Sequence, residues 1–322
     1  MRLRDQIRTY GWEAFRCFAA GVQPSFLSHV FYVDRNNPDA LDADDSIHGT
    51  CWESPFATIE YAILRHHDTV VSGSAEATNA NEWWGQNNYI LIAPGIYEED
   101  FVFATHRYIS GCTIIGLGSC IDYPTTEASV SIKSSTASII DAASMVACTI
   151  KNIHFECNLA SGTSVSIATM NNSAFINCRF HTNIANLSKH LSIGDMTRST
   201  IRGCVFSSGT THAATAIEIG ASSKTVFFGS KIENNIIDAA TTGILVNSSI
   251  ALSGGGTWIR GNEIAYPAKG IDINASSGGL IRIVNNTIMA SSDCIEGSNA
   301  AYTTGNWANQ AGTGDWEIAE PA

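Results

Sequence analysis

An all-β chain wound as a parallel β-helix, with three short strands in each coil of about 27 residues, is the fold this sequence predicts. Three observations carry that prediction. An aliphatic phrase recurs along the chain, a second apolar column shares its period, and the composition favours strands and tight turns. Charged residues make up only 15% of the 322 residues, while Ser, Thr, Asn, Gly and Ala abound, which excludes a helical bundle.

The phrase opens on an aliphatic or aromatic residue and closes on an apolar one five positions later. ISGCTI begins at Ile109, IKNIHF at Ile150, FINCRF at Phe175 and IRGCVF at Ile201, and the series continues with IENNII at Ile232, IRGNEI at Ile259 and IVNNTI at Ile283. From Ile150 onward the starts lie 25, 26, 31, 27 and 24 residues apart, and the 41 residues after Ile109 leave room for an insertion. The second column runs Val165, Leu191, Ile217, Ile244, Ile271 and Ile295, at intervals of 26, 26, 27, 27 and 24. A leucine-rich repeat would need LxxLxL and more helix-forming residues. Strands that alternate apolar and polar residues, such as AIEI at 216–219 and GIDI at 270–273, instead stack coil upon coil about 4.8 Å apart.

The phrase itself encodes a corner and a ladder. Its third residue is Gly111, Asn152, Asn177, Gly203, Asn234, Gly261 or Asn285, the two types that best tolerate positive φ at a sharp bend. The fourth runs Cys112, Ile153, Cys178, Cys204, Asn235, Asn262 and Asn286, passing from thiols to amides. Stacked inward asparagines can satisfy buried backbone groups along the axis. The nine cysteines form no CxxC pair and read as free, buried thiols of a chain folded in a reducing cytosol.

These columns resemble the asparagine ladders and repeat units of right-handed parallel β-helix proteins of the pectate-lyase-like superfamily. FYVDRNNPDALDADDSIHGTCWESPFATIEYAI at 31–63 and YILIAPGIYEEDFVF at 89–103 resemble the superfamily's first strand, acidic loop, short capping helix and first full rung. The resemblance spans roughly residues 31–298. It implies a right-handed coil in four parts: an attachment segment at 1–30, an opening region at 31–108, repetitive coils at 109–298 and a cap or interface tail at 299–322. By the same resemblance the expected role is a bacteriophage-like virion component, as tailspike, fibre or capsid-decorating protein. Such a subunit would be displayed on the virion surface, form a homotrimer, contact other virion proteins through the N-terminal segment and adhere to cell-surface polysaccharide. A fold of this kind also supports polysaccharide lyases and glycoside hydrolases, and does not by itself assign a function.

Enzymatic cleavage would call for two outward carboxylates on neighbouring coils. The residue after each member of the second column points outward, and there Asp272 and Glu296 are the best such pair, one coil apart, with ordinary surface charge as the plainer reading. No Lys/Arg cluster stands beside them in the sequence, Arg260 and Arg282 falling on other faces. HExxH, P-loop and GxSxG motifs are absent. Asp34, Asp42 and Asp44, in an acidic loop with Asn36, Asp39 and Asp45, offer oxygen ligands for a structural Ca²⁺, the only cofactor suggested. A solvated loop is the default reading of them, since Pro38 interrupts a spacing unlike the EF-hand. His66 and His67, near the end of the capping helix, are expected to face solvent.

Trp83 and Trp84, in the polar stretch TNANEWWGQNN, are the candidate sugar-stacking residues. Trp307 and Trp316 are expected to cover the last coil or meet another subunit. In the first 30 residues, Leu3, Ile7, Tyr10, Ala14 and Phe18 recur at helical spacing; Arg4, Arg8, Trp12 and Phe15 are the attachment candidates. This segment has a formal charge of +2, against −12 for the whole chain. It lacks the apolar core of a secretory signal, and no apolar run is long enough to span a bilayer. A net charge of −12 argues against nucleic acid as a partner.

Overall fold

The computed structural model describes residues 29–45, 47–70, 88–99, 101–102, 108–118, 129–184, 187–209, 213–220, 226–238, 241–247, 256–265, 267–274, 281–297 and 301–310. The coil is a parallel β-solenoid with about 26 residues per turn and three sheets. Sheet A has ten strands, from Val30–Val33 to Ala301–Thr304, and sheet B has nine, from Gly95–Glu98 to Trp307–Gln310. Sheet C runs from Phe101–Val102 to Asp293–Gly297. Each coil passes through A, B and C in order. Every strand therefore pairs in parallel with its equivalents one coil away.

Both sequence columns are register columns. Ile150, Phe175, Ile201, Ile232, Ile259 and Ile283 pair in succession along sheet A. Val165, Leu191, Ile217, Ile244, Ile271 and Ile295 do so along sheet C. Apart from Ile295, which is partly buried, these residues are sealed in one continuous core that runs from Phe31 to Ala290. Inward residues of sheet B complete the core: Phe155, Phe180 and Phe206 stack on one another, with centroids 5.2 and 4.7 Å apart, and Ile237, Ile264 and Ile288 continue the row.

The corner between A and B is made as the phrase implied. Asn152, Asn177, Gly203, Asn234, Gly261, Asn285 and Gly305 hold φ between 51° and 64°. At Gly203 and Gly261 the Asn of the preceding coil fills the space a side chain would need: a Cβ on Gly261 would sit 2.4 Å from Asn234 Oδ1, and one on Gly203 2.4 Å from Asn177 Oδ1. Asn177 itself follows Asn152 and keeps the same left-handed φ.

One copy of the phrase belongs elsewhere. Ile150 pairs with Ile114, and Cys112 lies level with Asn88, so Gly111 and Cys112 sit at the corner between C and A. That corner has its own left-handed column: Gly111, Ala147, Asn172, Arg198, Gly229 and Gly256. A hydroxyl ladder follows it. Cys148 N donates to Ser173 Oγ, Ser173 N to Ser199 Oγ and Ser199 N to Ser230 Oγ, each at 3.1 Å. The two corners share the pattern aliphatic, x, left-handed residue, small residue, which is why ISGCTI reads as a member of the wrong column.

The capping helix, α1, spans Ile59–Val70. Ile59, Ala62, Ile63 and His66 form its buried stripe at helical spacing. Two carboxylates anchor its start: Glu99 accepts from Ile59 N at 3.0 Å and Glu60 N at 2.9 Å, while Asp42 accepts from Ala57 N at 2.9 Å and Thr58 N at 3.1 Å. His66 departs from the sequence expectation. It is 2% exposed, its Nε2 lies 2.6 Å from Ser110 O and its Nδ1 2.9 Å from Asn88 Nδ2. An imidazole seven residues after Ile59 on the apolar stripe is carried inward and then needs those polar partners.

Candidate functional site

The chemistry this molecule can offer lies on the outward faces of its sheets. On sheet C, Asp272 and Glu296 are register partners on adjoining coils, as the spacing required. The structure adds a cation that the sequence reading missed. Lys269 Nζ lies 3.2 Å from Asp272 Oδ2 and also contacts Glu296 Oε2, and these bonds, Glu296 first, raise the lysine's pKa. Asp272 is buried at 4% exposure and its Oδ1 has no hydrogen-bond partner, whereas the Glu296 side chain is 46% exposed. An acid and a base need environments that separate them. These two share one counter-ion.

The same device recurs on every face. Glu218, two coils earlier on sheet C, accepts from Lys189 Nζ at 2.6 Å and Ser192 Oγ at 2.9 Å. Glu233 on sheet A is gripped by Arg260 through Nε at 2.8 Å and Nη2 at 2.7 Å. Glu156 on sheet B pairs with Lys133 at 2.8 Å and accepts from Asn183 Nδ2 at 3.0 Å. Burial pushes the Glu156 carboxyl up, but Lys133 and Asn158 outweigh it and leave it below the ordinary value. Glu156, Glu218, Glu233 and Asp272 are all buried, and each has a Lys or Arg from its own or an adjoining coil.

Beside Lys133, a groove of about 400 Å³ is lined by Glu98, Lys133, Ser134, Ser135, Thr136 and Asn158. Next to it along sheet B stand His154 and His181, their rings 5.8 Å apart. His181 Nε2 lies 2.9 Å from Asn183 Oδ1 and its Nδ1 3.2 Å from Ser207 Oγ. His154 is buried, and desolvation, helped by His181, pushes its pKa down to about 3.

Sheet A is different in sign. Its outer face carries Lys151, Arg202, Lys231, Arg260 and Arg282, with Trp258 between Lys231 and Arg282 in one register column. The Arg282 and Arg260 guanidinium carbons lie 4.7 and 5.6 Å from the Trp258 ring centroid. The whole-chain charge concealed this basic face.

The proposed calcium ligands are not brought together. Asp42 anchors α1, Asp44 bonds Arg65 Nη1 at 2.5 Å, and Asp34 accepts from Asn36 N at 3.0 Å. Among the described residues no group of three or more His, Cys, Asp or Glu side chains is arranged to hold a metal. Within the coil, Cys112 and Cys148 approach to 3.3 Å between sulfurs beneath α1, both reduced and both buried.

The ladder is longer than its predicted members. Cys204 N donates to Asn235 Oδ1 at 2.9 Å, then Asn235 N to Asn262, Asn262 N to Asn286 and Asn286 N to Asn306, each at 3.0 Å. Asn306 went unrecognised because its segment, YTTGNW, lacks the aliphatic opening of the phrase. Cys178 Sγ lies 3.5 Å from Ile150 O and Cys204 Sγ 3.7 Å from Phe175 O, weak echoes of the amide bonds. Trp307 is exposed. Trp83, Trp84, Arg4, Arg8, Trp12 and Phe15, with His67's side chain and Trp316, lie outside the described residues. No described helix is long and apolar enough to cross a membrane. Comparison with protein-family models, with curated proteins and with solved structures found no match, so the family resemblance rests on the repeat columns and the opening region of the sequence.

Proposed function

We propose that this chain is a non-enzymatic structural subunit of a virion-type particle, a tailspike, fibre or capsid-decorating rod that adheres to cell-surface glycans. One observation carries the reading: the buried carboxylates of the outer faces each sit against a matched cation, an arrangement that holds coils in register. Asp272 belongs to that set and shares its lysine with the more exposed Glu296, which favours a binding surface over a cleaving one. Residues 1–30 are the attachment segment in this reading, and a trimer multiplies weak glycan contacts. The alternative is a depolymerase, lyase or hydrolase, using Asp272 and Glu296 as acid and base.

The test is retention of bacterial surface polysaccharides by the full chain, with the length of each polymer followed by size-exclusion chromatography. Retention of polymers that keep their length supports the proposal. Shortened chains would replace it with the depolymerase, and no retention of any polymer would remove the adhesive role.

A further inference from the structure

We propose that the outer face of sheet A is a binding site for a linear acidic polysaccharide, centred on Trp258. Glu233 is the only carboxylate among the described outward residues of its two register columns beyond Lys151, and Arg260 already holds it in a two-pronged ion pair. Lys151, Arg202, Lys231 and Arg282 have no carboxylate partner among the described residues, and Arg202 and Arg282 are exposed. In a chain of formal charge −12, every buried outer-face carboxylate among the described residues has been given a cation. Four unmatched cations collected on one flat face are therefore surplus to the fold.

Their spacing suits a polymer. Lys231, Trp258 and Arg282 occupy one column on three successive coils, about 4.8 Å from one to the next. Arg202 and Arg260 flank that column two residues away along the strands. The half-buried indole has the Arg282 and Arg260 guanidiniums over its ring, and by holding Arg282 at the surface it presents a guanidinium fork to a sugar lying along the strip. A carboxylate or sulfate on the same or the next sugar would meet Arg282 or Lys231. Toward the first coils the strip ends, because Trp52 packs with Tyr32, Leu91 and Ile115 over the same sheet face.

Nucleic acid fits the face less well. Its dense phosphate charge asks for a broad basic footprint, and the acidic remainder of the chain would repel the rest of the polymer. A sparsely charged glycan engages the strip alone.

The inference deepens the adhesive reading above and rests on it in taking the ligand to be a glycan. The full chain is passed over immobilised hyaluronate, a linear uronate polymer, with dextran, duplex DNA and phosphatidylglycerol vesicles as parallel arms. Hyaluronate is expected to bind and to be released by added salt, with Lys231→Glu/Arg282→Glu weakening it about tenfold or more and Trp258→Ala several-fold. Unchanged thermal midpoints show that the variants fold, and the salt series on the wild-type chain needs no variant. Dextran binding equal to hyaluronate and untouched by charge reversal would overturn the acidic site while leaving neutral-glycan adhesion standing. Retention of no glycan would defeat both, and retention of DNA or vesicles alone would reassign the face to those ligands.

Discussion

Along one internal column, the coils that carry Ile153, Cys178 and Cys204 differ from those that carry Asn235, Asn262, Asn286 and Asn306. The first group sits beside the stacked rings of Phe155, Phe180 and Phe206, and its thiols reach carbonyls only weakly. The second sits beside Ile237, Ile264 and Ile288, and each of its first three amides accepts from the preceding coil and donates to the next, with a further bond to a strand carbonyl. Backbone geometry is the same in both, down to the left-handed corner residue. One half is held chiefly by aromatic packing and the other by a hydrogen-bond relay. The difference shows that a solenoid can exchange one cohesive force for another without changing its coil, because each coil answers only to its neighbours.

The largest effect expected from breaking this contrast is Phe180→Ala. It removes the middle ring of three and leaves a cavity that flanking strands cannot collapse, at a cost of about 3–5 kcal/mol in chemical denaturation. Asn262→Ala comes next: Asn235 N and Ile232 O both lose their partner, for a loss of about 2–5 kcal/mol. Equal, small losses from both substitutions would contradict the division of forces.

His190 provides a pH test within the aromatic half. Its ring is fully buried, 6.3 Å from Phe206, with neither nitrogen hydrogen-bonded, and desolvation pushes its pKa down to about 3. Unfolding frees it to bind a proton with an ordinary pKa near 6.5. The stability it contributes is thus fully present above pH 6.5 or so and lost as pH falls toward about 3, by up to about 1.4 kcal/mol per pH unit. His190→Phe is expected to remove that part of the acid sensitivity in urea titrations at several pH values, and to leave neutral-pH stability unchanged or raised by about 1 kcal/mol. The smallest effect belongs to Cys204→Asn. A position already bonded to Asn235 Oδ1 should accept a fifth amide within about 1 kcal/mol, read from the thermal midpoint.

Much of this was legible in the sequence because a β-helix writes its coil as a period. Ile150 and Val165 announced both columns, and Asn and Gly announced the corner, since few other residues relax at positive φ. The second corner stayed hidden for the converse reason: Ala147 and Arg198 adopt that conformation without advertising it. His66 could be placed on a helix but not on its buried stripe until the helix start was fixed by Glu99, some 40 residues away. The outer-face chemistry was legible in columns and illegible in partners. Asp272 and Glu296 were found together, whereas Lys269, three residues from Asp272, gave no sign that its ammonium would serve both. The sheet A strip was lost in the net charge, which sums over faces that a ligand meets one at a time.

The most direct test of the claim that the outer-face carboxylates are structural is the release of new reducing or unsaturated ends from bacterial surface polysaccharides by the wild-type chain and by Asp272→Asn. No release by either protein is the expected result. Release by the wild type that Asp272→Asn abolishes, at an unchanged thermal midpoint, would contradict it and make Asp272 a catalytic residue.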